Sequence, residues 1–582
     1  MPQLRDSGSE RKSAHLHDFA RIFGIETEYG LSVTQTARRV DPSRAAMVMF
    51  EPVVRRQRAT NTYLTNGSRL YLDVGSHPEY ATSEARTPAA ALAQDAAGEA
   101  VMKRLAASAQ KELSSRLGEP NLRLHVYKNN LDAAGNSFGC HENYLLRRAV
   151  PLSVVERVLI PFLATRCVWA GAGHVVERAE GSGCSAGGVT YELTQRADVL
   201  DEAVSSATTR VRPMINTRDE PHANPDEFRR LHVIVGDSNR SQTSTWLRLA
   251  TTHLVLCMIE QSVRENAGTD GAGVSSSPSE ISEQLEALLS VLPSLTHDDP
   301  TALMKAASRG EHDAVRNAFT VQRLFCDAAA AFARGRREEL ISSGSIGDYE
   351  LDEALRTWDE VVAAGEYEFT VAANADDDAQ VLQASQNSQA SQASPASQTR
   401  DASSTAFIVN LAEQMPAWVE WAAKVRLLEA FRSRHADAEV PRAALEQIEL
   451  SYHDIAASTV FEGLAQQEDA QIRSMVGNDG GAFNGRASVS GLIRVSAREV
   501  KQAVSEPPMG TRAMVRGEFV RKALTSHVEW SCDWTHLEVH GSQAGAGSGT
   551  GVRRHEVRLF DPFDDDMFAP PVREVFAALD GE

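Results

Sequence analysis

One stretch, Asn66 to Glu84, restricts the fold of this chain most: Asn-Gly-Ser-Arg-Leu-Tyr-Leu-Asp-Val-Gly-Ser-His-Pro-Glu-Tyr-Ala-Thr-Ser-Glu. Read with a period of two, Leu70, Leu72 and Val74 fall on one side, and Arg69, Tyr71 and Asp73 on the other. Asn66-Gly67 supplies a turn before this strand, and Gly75 with Pro78 ends it. A guanidinium, a phenol and a carboxylate on one strand face are costly to bury unless each finds a partner. The pattern is that of an antiparallel strand with one side against a core and the other open. Two readings of the open side stand: a solvated face, or a floor for polar chemistry. Glu79 and Thr82 follow at once, so a short loop can fold further polar groups over it.

The rest of the chain narrows the classes. Its 582 residues predict two to four domains. A net charge of −20 argues against a general nucleic-acid binder, although arginines crowd Arg210 to Arg248. No apolar run reaches the roughly 18 residues a membrane span needs, and Met1 to His17 has no signal-peptide core. The six cysteines are scattered without metal-type pairing, which fits free thiols in a reducing cytoplasm. There is no internal repeat, no Walker Gly-Lys-Ser/Thr loop and no Rossmann glycine triplet. If the chain uses ATP, it must hold it through metal ions, arginines and a sheet surface.

Ala20 to Gly30 reads as a strand ending at a glycine, with Glu26 and Glu28 on one face. Such a pair repels unless a cation sits between, and a hard divalent ion suits it; a solvent-facing pair is the plainer alternative. Pro88 to Leu117 is alanine-rich and helical. Lys128 to Tyr144 is a long polar loop feeding a strand, with His141, Glu142 and Asn143 at its exit. Ser205 to His222 is rich in hydroxyls and arginines, as a phosphate or carboxylate clamp would be. Arg229 to Asn239 is a strand with His232 and Ile234 on one face, and Thr243 to Val263 a helix. Residues 301–366 and 406–464 are helical, interrupted by a Ser/Gln-rich tract at 376–404 that has no apolar face to bury. The glycine-rich break at 477–485 is the expected domain boundary. Beyond it come a helix near Met514–Leu524 and two strands, Val528–Val539 and Val552–Phe560, joined by the Gly/Ser tract 541–551. Trp534 and His536 would share a face of the first; such a tryptophan serves as core or as a cover for a nucleotide.

Gly24-Ile-Glu-Thr-Glu-Tyr-Gly30, Asn66 to Glu84, Lys128 to Tyr144, Ser205 to His222, Arg229 to Asn239 and the strand with Asp533-Trp534 together resemble the Pup ligase/Pup deamidase family. These are carboxylate–amine ligases of glutamine-synthetase-like fold. The resemblance implies an α+β architecture: a disordered tail at 1–18, a large domain at 19–479 with a curved antiparallel sheet packed against helices, and a small C-terminal α/β domain at 480–582. The large domain would carry 376–404 as a disordered insertion. It further implies ATP-dependent joining of the γ-carboxylate of the C-terminal glutamate of Pup, a prokaryotic ubiquitin-like protein, to lysine amines of target proteins. The route would pass through a γ-glutamyl phosphate, and the tag would direct targets to proteasomal degradation. Asp73-Val-Gly-Ser-His-Pro-Glu stands where the deamidase pattern has Asp-His-Ala-His-Pro-Glu, and no long extra loop follows Gly30. Both features favour the ligase branch, with Pup deamidase or depupylase as the alternative.

By position, the resemblance makes Glu26, Tyr71 and Glu79 ligands of Mg²⁺, the tyrosine directly or through a water. Arg69, Thr82 and Trp534 would contact ATP, and Asp73 would be the catalytic base. Glu28, His141 and His232 lie in matching stretches and are further candidates. Pup and lysine-bearing proteins are the implied partners, with no nucleic acid and no membrane.

Overall fold

The computed structural model describes residues 19–580, apart from 58, 133–134, 178–188, 208–211, 268–279, 297, 385–399, 436–439, 458–459, 468–490 and 542–552. The expected tail at 1–18, the 180–188 loop, the 477–485 break and nearly all of the 541–551 tract lie outside the described residues. In chain order the first strands are β1 (Phe23–Glu28), β2 (Gly30–Thr34), β3 (Asn61–Tyr63), β4 (Arg69–Leu72), β5 (Pro78–Ala81), β6 (Arg123–Tyr127) and β7 (Cys140–Arg147). Then come β8 (His174–Glu177), β9 (Val189–Glu192), β10 (Glu202–Ser205), β11 (Pro213–Asn216) and β12 (Phe228–Val233). The C-terminal region adds β13 (Glu529–Cys532), β14 (His536–Gly541) and β15 (Arg553–Arg558).

Eight of these form the main sheet, in the order β10–β11–β12–β7–β1–β5–β4–β3. β10 and β11 pair in parallel, and every other neighbouring pair is antiparallel. The alternation that marked Asn66–Glu84 recurs in its centre. On β1, Phe23, Ile25 and Thr27 are buried while Glu26 and Glu28 stay half-exposed. On β7, Cys140, Glu142 and Tyr144 turn inward while His141 and Asn143 turn outward.

The inward face is covered by the helices Pro88–Leu117 and Gln242–Ala267. Thr27 Oγ1 donates to Asp95 Oδ1 at 3.2 Å, and the Phe23 ring meets His253 edge-on at 5.4 Å. Helix Pro88–Leu117 starts and stops on local chemistry. Thr87 Oγ1 accepts the Ala90 N–H, Pro88 occupies the first turn, and Gly118 closes the end at φ 66. Glu142, sent inward by the alternation, is buried and paired with Arg166 and, at 3.7 Å, with Arg248. Of the His141-Glu142-Asn143 run, therefore, only the outer two face the open side.

Three expectations change. Gly30 does not end a strand; the chain passes from β1 into β2, which leaves the main sheet to pair with β6. A Cβ at Gly30 would lie 3.1 Å from Phe138 Cζ, so a residue without a side chain lets the backbone cross there. The Leu70 strand stops at Leu72, not Val74: Gly75 (φ 80) and Ser76 (φ 64) turn the chain in left-handed conformations. Val528–Val539 is two strands, because Asp533 Oδ1 accepts from the backbone N–H groups of Thr535 and His536, each at 2.7 Å. Trp534 thus sits on a turn and shares no strand face with His536.

The C-terminal sheet β13–β14–β15 packs with helices Ala513–Ala523 and Pro570–Asp580 around Phe519, Leu537, Val539 and Val575. Tyr63, on the edge strand β3, joins that same core and docks the unit on the main sheet. Helix Ala497–Ser505 instead packs on Pro88–Leu117, where Asn66 Nδ2 donates to the Ala503 carbonyl at 2.8 Å. Within the Ser/Gln-rich tract, helix Asp348–Ala384 runs in from one side and Arg400–Gln414 begins on the other. Among the described residues no helix is long and apolar enough to cross a membrane, and Cys140, Cys167, Cys257, Cys326 and Cys532 are free thiols.

Candidate active site

Strand register delivers the polar residues to one face in rows, because directly opposed residues of antiparallel strands share a side. One row runs Glu28, Glu79, Tyr71 across β1, β5 and β4. The next runs His141, Glu26, Ala81, Arg69 across β7, β1, β5 and β4. A third places His232 opposite Asn143 and Asn143 opposite Gly24.

The rows gather two clusters. In the first, Glu26, His141 and His232 bring candidate ligand atoms within 4.8 Å of one another. His141 Nδ1 donates to Glu26 Oε2 at 3.1 Å; Asn143 Nδ2 and Arg230 Nη1 donate to Oε1 at 3.1 and 3.3 Å. Burial would raise the Glu26 carboxyl, but the His141 hydrogen bond and the Arg230 guanidinium hold it well below the usual range. Burial pushes the His232 imidazole down to about 3. Its Nε2 is buried without a hydrogen bond, the form in which imidazole ligates metals.

In the second cluster, Glu28, Asp73 and Glu79 lie as close, within 4.8 Å. Burial first, then the neighbouring Glu26 and Glu28 charges, hold the Glu79 carboxyl well above its usual value. Tyr71 stands directly opposite it on β4, and the nearby hydroxyl lowers the carboxyl somewhat. Three crowded carboxylates are the donor set of a hard divalent cation, so this cluster fits Mg²⁺. The two clusters are possible at this spacing because Gly139 precedes β7: a Cβ there would lie 2.8 Å from Glu28 Oε1 and collide with the His141 ring.

Asp73 is positioned by the turn that ends β4. Its N–H donates to the His77 carbonyl and its carbonyl accepts from Ser76, both at 2.9 Å, while its carboxylate caps nothing. The carboxylate is left free to face the cluster.

A cleft opens between this sheet and the C-terminal unit. Glu26, Thr82 and Asn143 line its floor, and Arg230, Arg512 and Trp534 its sides. Thr82 Oγ1 accepts the Ile25 N–H at 3.0 Å, so its own proton remains to donate into the cleft. The Trp534 ring stands edge-on to Tyr63 at 5.2 Å, with the Arg516 guanidinium 4.8 Å from its centre. Arg69, Tyr71, Asp73 and Glu79 do not line this cleft; they occupy the adjoining strands of the same face. Arg69 Nε donates to Asn61 Oδ1 at 2.8 Å, and its guanidinium rests 4.1 Å over the Tyr71 ring.

Arg230 and the Glu84–Arg512–Arg516 group were not singled out by the sequence reading, and Asn143 was noted only as part of a loop exit. Arg512 Nε donates to Glu84 Oε1 at 2.8 Å and Arg516 Nη1 to the same oxygen at 3.1 Å. The available signal was the i, i+4 spacing of two arginines at the start of a helix, which puts both on one side.

Comparison with known proteins agrees along the whole chain. The family model described as "Pup-ligase protein" matches residues 21–379, 377–479 and 485–538. The Pup–protein ligase of Bifidobacterium longum (strain DJO10A) is 42% identical over 573 residues, spanning 97% of each chain. That of Bifidobacterium adolescentis is 41% identical over 571 residues with the same spans. Among solved structures, the complex between Pup and its ligase PafA aligns with a TM-score of 0.67 at 26% identity, covering 97% of this chain and 93% of that one. The Pup ligase PafA in complex with ADP aligns at 0.61 and 27% identity, covering 94% and 97%.

Proposed function

The chain belongs to the Pup-ligase protein family, and from that premise we infer that it is an ATP-dependent ligase joining Pup to lysine side chains of target proteins. The match to Pup–protein ligases over 97% of both chains carries the reading. The cleft beside the carboxylate rows is its chemical counterpart. In this reading the cleft takes ATP, with Trp534 against the base end, the Thr82 hydroxyl donating to a phosphate oxygen, and Arg69 nearby on the same face. Magnesium would be held by Glu79, Glu26 and Tyr71, which border one another on adjoining rows, with the Glu28 and Asp73 carboxylates adding negative charge beside Glu79. Bound magnesium neutralises phosphate oxygens.

The γ-carboxylate of Pup's terminal glutamate attacks the γ-phosphate, so that ADP leaves and a γ-glutamyl phosphate remains. A lysine amine then attacks the acyl carbon and expels phosphate, leaving an isopeptide bond. Lysine arrives protonated and is a poor nucleophile until it loses a proton. Asp73, whose carboxylate is uncommitted to the turn, accepts that proton.

The test is a gel assay with purified protein, Mg-ATP, a lysine-bearing target and Pup ending in glutamate, with ADP followed in parallel. A mass-shifted target with ADP release is the expected result. No conjugate, together with ammonia from glutamine-ended Pup or Pup released from a conjugate, would instead assign the chain to deamidation or depupylation.

Tyr71→Phe isolates the hydroxyl while keeping the ring beneath Arg69. It is expected to weaken the Mg²⁺ dependence of ADP binding about 10- to 100-fold, the scale seen when a group supporting a metal ligand is lost. A Mg²⁺ titration of ADP binding checks this; an unchanged midpoint removes Tyr71 from the metal site.

A further inference from the structure

Across the cleft from Trp534 stands His222, a residue the ligase reading leaves without a role. It follows Pro221, and both line the cleft. Its backbone is left-handed at φ 46, a conformation uncommon for a residue that carries a side chain. Such outliers persist where the surroundings require them and cluster at binding sites. The imidazole is half-buried and makes no hydrogen bond among the described residues. Its ring centre lies 6.3 Å from that of Trp534, with the planes tilted by 41°. Burial, then the Arg230 and Arg512 guanidinium groups, hold it below its ordinary value, which favours a neutral, stackable ring.

We propose that His222 is the second wall of the nucleotide-base subsite, closing on a flat purine ring that rests against Trp534. The inference rests on the reading of the cleft as the ATP site and adds the residue that grips the base. A ring in van der Waals contact with two neighbours, about 3.5 Å from each, needs about 7 Å between parallel faces, so a shift of about 1 Å with a rotation that removes the 41° tilt admits it. Trp534 is fixed by Tyr63 and Arg516, whereas the His222 ring has no hydrogen-bond anchor among the described residues, so the shift falls on the imidazole. Ile22, Pro221 and Pro562 add apolar surface to the same cleft.

The test uses His222→Asn and His222→Gly in the full chain, since both residues accept a left-handed backbone and neither has a ring. Mg-ADP and Mg-tripolyphosphate, which lacks the base, are titrated calorimetrically. Both variants should bind ADP about tenfold or more weakly, on the scale of losing one aromatic stack, and bind tripolyphosphate as the unaltered protein does. Unchanged ADP affinity in either folded variant, or equal loss of both ligands, overturns the proposal. Absence of ADP binding to the unaltered protein would overturn the nucleotide reading itself, an outcome distinct from failure at His222.

Discussion

Asp73→Asn should bind ATP as the unaltered protein does and conjugate Pup about 10²- to 10⁴-fold more slowly, the usual contribution of a positioned base. The substitution keeps the side chain's shape and the turn that presents it, because the turn is held by backbone groups of Asp73, Ser76 and His77. What it removes is a proton acceptor. The signature separating this role from a metal ligand is pH. A lysine amine ionises near pH ~10.4, so each unit of pH below that raises the fraction of free amine about tenfold. The variant, dependent on amine already deprotonated in solution, should recover steadily with rising pH while the unaltered protein changes less. Asp73 also belongs to the carboxylate group with Glu28 and Glu79. If it served chiefly to hold magnesium, ATP affinity would fall along with conjugation, and conjugation at the full rate would sink the assignment.

The second large effect is on stability. Glu84 is buried between Arg512 and Arg516, and all three side chains are 8% exposed or less. Glu84→Ala leaves two guanidinium groups buried without their carboxylate, which costs about 3–5 kcal/mol. The Glu84 carboxyl reflects the same interaction: burial would raise it, yet the Arg516 and Arg512 charges hold it at about 2 against an ordinary 4.5. That depression corresponds to about 3 kcal/mol. Because the folded value is depressed, the contribution is fully present above pH 4.5 and is lost as pH falls toward about 2. Thermal unfolding of the two proteins should therefore differ most at neutral pH and converge as the solution is acidified. The damage should begin at the C-terminal unit, since these arginines open its first helix and the Trp534 carbonyl accepts from Arg516 at 3.0 Å. Early proteolysis between residues 510 and 560 of the Glu84→Ala chain would show it. Equal stability at pH 7 would mean that the unit is held by its other contacts, such as the packing at Tyr63 and of Phe563 on Phe228, without need of this ion group.

The parts of this fold readable from sequence are those decided within a few residues. Thr87, Pro88 and Gly118 punctuate a helix by their own backbone needs, and the alternation on β1, β4 and β7 is a period of two. The polar face was legible for the same reason: Arg69, Tyr71, Glu26 and Glu28 cannot go inward together. Its ligand assignments came from resemblance, since nothing local distinguishes Glu79 from any buried carboxylate. What stayed hidden depends on distant partners. Gly30 lets the chain change sheets because Phe138, far along the chain, crowds it. Glu84 acquires meaning from arginines more than 420 positions away. Trp534 looked like a strand residue because the side chain that breaks the strand, Asp533, acts through two backbone hydrogen bonds and no change of hydrophobic pattern.

The roofing of the cleft has a consequence for how the protein is made. The main sheet draws its strands from residues 23–233, whereas Arg512 and Trp534, at the sides of the cleft, come from a segment far later in the chain. At about 5–20 residues per second, the sheet is translated well before its roof. A ligand held between the sheet and that later segment, as proposed for ATP, can support folding only once the segment has docked. A chain that stops short of it would carry the open carboxylate rows without Arg512 and Trp534 beside them.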